Sequence, residues 1–213
     1  MEGLDLLKKD WNKREKGFPE FSENDIYGMI HKRSSSIVKW IFIISILEIL
    51  FWTGIQFLLV DDDYKKIVEN YHLGEFLQVS TIVHYAVLVI FIVLFYLNFQ
   101  NISTGSSVKT LMNNILKTRK IVNYYVWYNI IVMFISMVFV WKNMITYDAN
   151  LNDVLEKSVS TGSETGFWVG VLITMVLMIA VAGGILWLFY RLVYGILLKR
   201  LQKNYQELER IEF

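Results

Sequence analysis

The sequence predicts an all-α protein, a four-helix transmembrane bundle with both termini on the cytoplasmic side and short amphipathic helices there. Three observations predict it. Four apolar runs of about 20 residues each punctuate a chain of 213 residues that is 54% hydrophobic and 19% charged, against about 45–50% and about 25% in a soluble domain. The one proline, Pro19, lies outside all four runs, so each run is expected to be an unbroken helix. The basic residues collect on alternate connecting segments.

The runs are Ile37–Val60, Ser80–Phe99, Ile121–Val140 and Phe167–Tyr190. Each is long enough to cross about 30 Å of hydrocarbon at about 1.5 Å per residue. One such run could be a core helix of a soluble protein. Four could not, because the polar remainder is too short to cover them. The chain therefore divides into a cytoplasmic amphipathic segment (1–36), a four-span membrane domain (37–198) with an inner-loop amphipathic helix over 107–120, and a cytoplasmic helical tail (199–213).

Of the 21 basic residues, 17 fall before Lys39 or at it, between the second and third runs, or from Arg191 onward. The other two loops carry four, with nine acids. That asymmetry places both termini inside. Trp40, Trp141, Trp168, Trp187 and Tyr190 fall where aromatic belts are expected. The opening Met-Glu-Gly-Leu-Asp is polar, and no apolar stretch begins before Ile37, so no cleavable signal peptide is expected.

The cytoplasmic pieces each carry an apolar stripe. Leu4, Leu7 and Trp11 share one helical face. Ser22 followed by Asp25 reads as a helix start, with Ile26, Met29 and Ile30 as the next stripe. Leu4, Leu7, Trp11, Ile26 and Ile30 are candidate anchors for a partner groove; the competing reading is a helix lying on lipid headgroups. In the inner loop, Val108, Leu111, Met112, Ile115 and Leu116 repeat the pattern among basic residues, which suits anchoring to an anionic leaflet. The tail continues the fourth run, and Leu197, Leu201, Tyr205, Leu208 and Ile211 form a stripe along it that suits packing on residues 1–33 or on a second copy.

Inside the runs, Glu48 stands out, because a carboxylate near mid-membrane must face the bundle, a wet cavity or carry a proton. Counting from the outer ends of their spans puts Glu48 about 18 Å deep and Asn129 about 17 Å deep. Glu48, Asn129 and the adjacent Tyr128 are therefore expected to form an intramembrane polar cluster. It could cement helices, or serve a proton or cation relay or a ligand. Gly162, Gly166 and Gly170, then Ala180 and Gly184, have the small-xxx-small spacing of close helix packing, within the bundle or between copies in a homo-oligomer.

Several chemistries are not expected. Without cysteine there is no disulfide, thiolate metal site or thiol nucleophile. Asp61-Asp62-Asp63 lacks the ligand number of a calcium site and reads as charge that opposes inversion. No catalytic motif is present, so no catalytic residue, cofactor or metal is expected. At a net charge of +1, no nucleic-acid partner is expected either.

Leu4-Asp-Leu-Leu-Lys-Lys-Asp-Trp11, with Ile26-Tyr-Gly-Met-Ile-His-Lys-Arg-Ser-Ser-Ser-Ile-Val-Lys-Trp-Ile-Phe-Ile-Ile-Ser-Ile-Leu-Glu48, resembles the opening of a group of flavobacterial four-span inner-membrane proteins. That group often bears the label beta-carotene monooxygenase. The resemblance implies a bacterial cytoplasmic membrane. Iron-dependent carotenoid cleavage would need clustered histidines, whereas His31 is expected at the inner face and His72 and His84 at the outer. The functional expectation is a membrane scaffold or signalling adaptor that docks a cytoplasmic protein through residues 1–33 and the inner loop. The alternatives are a small proton- or cation-linked channel or transporter that uses Glu48, and a lipid-modifying enzyme.

Overall fold

The computed structural model describes residues 22–104 and 107–212. They form six α-helices: α1 (Glu23–Leu59), α2 (Asp62–Asn70), α3 (Gly74–Thr104), α4 (Val108–Tyr147), α5 (Ala149–Ser160) and α6 (Glu164–Glu212). Among the described residues there is no strand. The protein is all-α, and α1, α3, α4 and α6 are long and apolar enough to cross a membrane.

Local chemistry sets the helix starts. Ser22 Oγ accepts from the Asp25 amide at 3.2 Å while Asp25 Oδ2 accepts from the Ser22 amide at 3.0 Å, a reciprocal cap that opens α1. Asp61, Ser107 and Asp148 cap α2, α4 and α5, each side chain accepting from the amide three residues on. Before α6 the chain turns through Gly162 at φ +71°, a left-handed conformation that glycine adopts without a Cβ clash.

The four long helices run antiparallel to their neighbours in the ring α1–α3–α4–α6, which closes as α6 packs on α1. The packing faces have heptad spacing. On α4 the buried seam is Leu111, Ile115, Thr118, Val122 and Tyr125; on α6 it is Tyr190, Tyr194, Leu201, Asn204 and Leu208. Ile30, Ser34, Ile37, Ile41, Ser45 and Glu48 line α1, and Leu88, Phe95, Asn98 and Ile102 line α3. Nearly all of these lie toward the end of the bundle that holds the start of α1, the end of α6 and the α3–α4 connection, termed here the terminal end. Buried polar pairs tie that end together: Asn98 donates to Thr118, and Asn204 to Ser34 at 2.9 Å.

Two sequence expectations change here. The inner-loop helix is not a separate element but the start of α4, while the tail, as expected, continues the fourth span in α6. Their stripes face inward, with Leu111, Met112, Ile115, Leu201 and Leu208 in the core. Ile30 is in that core and Ile26 packs against it, so neither is free to anchor a partner; Leu4, Leu7 and Trp11 lie outside the described residues. The physical reason is that apolar stripes on adjacent helices gain as much from each other as from lipid or a partner, about 25 cal/mol per Å².

At the opposite, far end, α2 fills the α1–α3 connection and α5 the α4–α6 connection, two helices that hydropathy alone did not suggest. Tyr71 Oη donates to Asp148 Oδ2 at 2.7 Å, and Asn143 Nδ2 donates to the Tyr71 carbonyl at 3.0 Å. The phenol, with the Leu151 and Asn150 amides, holds the Asp148 carboxyl below its ordinary value, and the same bond raises Tyr71. A depressed carboxyl stabilises the fold above its unfolded value, and that contribution is lost as pH falls through the lowered folded value. Thermal unfolding in detergent between about pH 6 and about pH 2.5 should therefore show a steeper acid loss for the native chain than for Tyr71→Phe. Parallel curves would refute the link.

Candidate functional site

Toward the far end the four helices part, and a cavity of about 340 Å³ opens among them. Its walls come mainly from α1, α3 and α4, and α6 contributes Leu186 and Tyr190. The polar lining is dense for a membrane interior: Thr53 and Gln56 from α1, Ser80, Thr81, His84 and Tyr85 from α3, Asn129 and Ser136 from α4. Thr53 Oγ1 and Tyr85 Oη lie 2.8 Å apart, and Tyr85 Oη is 3.4 Å from Gln56 Oε1.

Glu48, Tyr125 and Tyr190 line the end of the cavity nearest the packed core. Glu48 is 5% exposed. Tyr190 Oη donates to its Oε1 at 2.7 Å and Tyr194 Oη to its Oε2 at 2.8 Å. Both phenols come from one face of α6, one helical turn apart. Tyr125 of α4 sits edge-on to both rings at 6.1 and 5.9 Å. Beyond this aromatic floor lie Ile41, Val38 and Val122, all buried, so the cavity is blind toward the terminal end. Two donors on two different oxygens suit an ionised carboxylate, which accepts at both.

The expected cluster is rearranged. Glu48 lies at the bundle interior as its cost demands, and Asn129 shares its cavity. Yet Asn129 Nδ2 donates to the Tyr125 carbonyl at 2.8 Å, and Tyr128 Oη lies 3.3 Å from His84 Nδ1, the two rings stacked with centroids 5.7 Å apart. Tyr190 and Tyr194 replace them as partners. Depth arithmetic missed these tyrosines because the fourth apolar run breaks at Arg191, which put Tyr190 at a membrane interface. The helix continues, however, with Arg191 turned outward over Trp187. The sequence signal was the heptad Tyr190, Tyr194, Leu197, Leu201, which crosses that break.

The histidines fall at opposite ends of the bundle, His31 at one and His72 and His84 toward the other. His31 lies in the terminal half of α1, His72 at the far end, its ring tilted against Tyr147 with centroids 4.3 Å apart, and His84 lines the cavity. Gly162, Gly166, Gly170, Ala180 and Gly184 are all exposed, and a Cβ at Gly170 or Gly184 would meet nothing within 4 Å. The expected close packing within the bundle is therefore absent at these positions, and only contact with lipid or a second copy is left to them.

A family model described as a domain of unknown function (DUF8845) matches residues 24–213. No curated protein and no solved structure matches the chain.

Proposed function

We propose that this chain, which belongs to the DUF8845 family, is a small carrier of cations, protons included, that admits its solute from the far end and holds it at Glu48. One observation carries the reading: a carboxylate with two phenol donors forms the floor of a polar, blind cavity between candidate spans. A site that is open on one side and sealed by packed side chains on the other fits one state of an alternating carrier. It does not fit a continuous channel. The scaffold reading loses ground because Ile26, Ile30 and the inner-loop stripe are occupied within the bundle, leaving Leu4, Leu7 and Trp11 as its basis.

The reading includes an address. The distribution of basic residues supports termini in the cytoplasm, and in that orientation the cavity mouth faces the outer side. The resemblance of residues 4–11 and 26–48 supports a bacterial cytoplasmic membrane.

Proteoliposomes test it. With an imposed potential and an internal pH dye, the native chain should move protons or a monovalent cation at a rate well above that of empty vesicles. Glu48→Gln should abolish the flux while the protein stays monodisperse. Native protein that is silent with every cation tried, or a glutamine variant as active as native, ends the proposal.

A further inference from the structure

A second site lies at the other end of the molecule and is independent of Glu48. We propose that the groove between α1 and α6 at the terminal end binds one anionic phospholipid from the surrounding bilayer.

The groove has two joined compartments. The first, about 410 Å³, is lined by Lys32, Arg33, Ser36 and Arg200 over an apolar base of Met29, Ile37 and Leu197, with Trp40 at its edge. The second, about 270 Å³, is lined by Ile44, Leu192, Val193 and Ile196. Trp40, Leu197 and Arg200 border both, so the two are continuous. The compartments thus differ in chemistry along one axis. On α1 the order is Arg33, Ser36, Trp40, Ile44, each one helical turn further into the apolar span. On the antiparallel α6 it is Arg200, Leu197, Val193, in the same spatial direction. Charge is at the terminal end on both helices and hydrocarbon is at the other.

That gradient has the shape of a lipid. From Arg33 to Ile44 the helix rises about 16 Å, close to one leaflet's share of about 30 Å of hydrocarbon. Trp40 is 54% exposed at the junction, the level where an indole ring meets headgroups. No acid lines either compartment. Among the described residues, none of Lys32, Arg33 and Arg200 forms an ion pair. Three cations and a hydroxyl converging on one small volume match a phosphate. A zwitterionic headgroup would bring its own ammonium into the same positive field. A soluble phosphate would leave the apolar compartment empty, which is why the bilayer is the source.

Native mass spectrometry of the full chain, released from mild detergent, provides the test. Phosphatidylglycerol and phosphatidylcholine with identical chains are added separately, and inorganic phosphate is added as competitor. The chain should retain phosphatidylglycerol at least about tenfold better, since each cation contributes roughly fivefold. The double variant Arg33→Gln/Arg200→Gln should lower that retention by roughly 25-fold. Ile196→Trp, which fills the apolar compartment without changing charge, should lower it severalfold, and millimolar phosphate should not displace the lipid. Ile196 is exposed, so this variant keeps the test decisive should the double variant aggregate. Equal retention of the two lipids, an unaffected variant of either kind, or displacement by phosphate overturns the proposal.

Discussion

Ile115→Lys should abolish stable folding, while Leu116→Lys, one residue further along the same helix, should be nearly silent. Ile115 is 0% exposed and Leu116 is 41% exposed. Both lie in the stretch that the sequence alone presents as an amphipathic helix on the membrane surface. Were that its environment, lysine at 115 would reach the headgroups at little cost. In the bundle Ile115 belongs to the same dry core cluster as Ile30, Leu111 and Leu201, and a charge without a partner there costs at least about 4 kcal/mol. The exposed neighbour should change stability by no more than about 0.5 kcal/mol. Gel filtration in mild detergent followed by thermal unfolding reads both. If the two variants behave alike, the terminal-end core is not packed as described.

The contrast also marks how far the sequence could be read. The four spans were legible because length and apolar composition suffice for them, and no other element competes for a 20-residue apolar run. Glu48 was legible because its cost in that setting demands an explanation. The helix ends were legible only where a cap marks them, as Ser22 with Asp25 does at the start of α1, since hydropathy reports where a helix leaves lipid and not where it stops. Leu111, Ile115, Leu201 and Leu208 carry helical periodicity that fits lipid, partner or neighbour equally well, and only the tertiary arrangement decides among them. The partners of Glu48 failed for a related reason. Depth was counted from hydropathy edges, and the true register is set by side chains in contact, such as Thr53 with Tyr85 and Ser34 with Asn204. The heptad seams were present in the sequence throughout, and following them past Arg191 would have brought Tyr190 and Tyr194 to the same face as Leu201.

Removing both phenol hydroxyls should be the second severe lesion, and its size reports what Glu48 is. Tyr190→Phe and Tyr194→Phe each delete one donor to a buried carboxyl and leave the rings in place. Hydrogen bonds between neutral groups within membrane helices average about 0.6 kcal/mol and reach about 1.7. Bonds to a charged group contribute about 1.5–3 kcal/mol each, and stripping a buried charge of its partners costs about 3–5. With two donors on two oxygens, the double variant should lose at least about 3 kcal/mol. In a Glu48→Leu background the same two substitutions should reverse in sign or vanish, because the hydroxyls are then orphaned donors and phenylalanine removes them. Reversible unfolding by denaturant in micelles, run as a full cycle, measures the coupling. A coupling near 0.6 kcal/mol would instead identify a neutral acid that merely joins α1 to α6. Coupling several times larger is what a cation carrier needs: a carboxylate kept ionised in an apolar bundle by two phenols, ready to exchange their hydrogen bonds for an arriving positive charge.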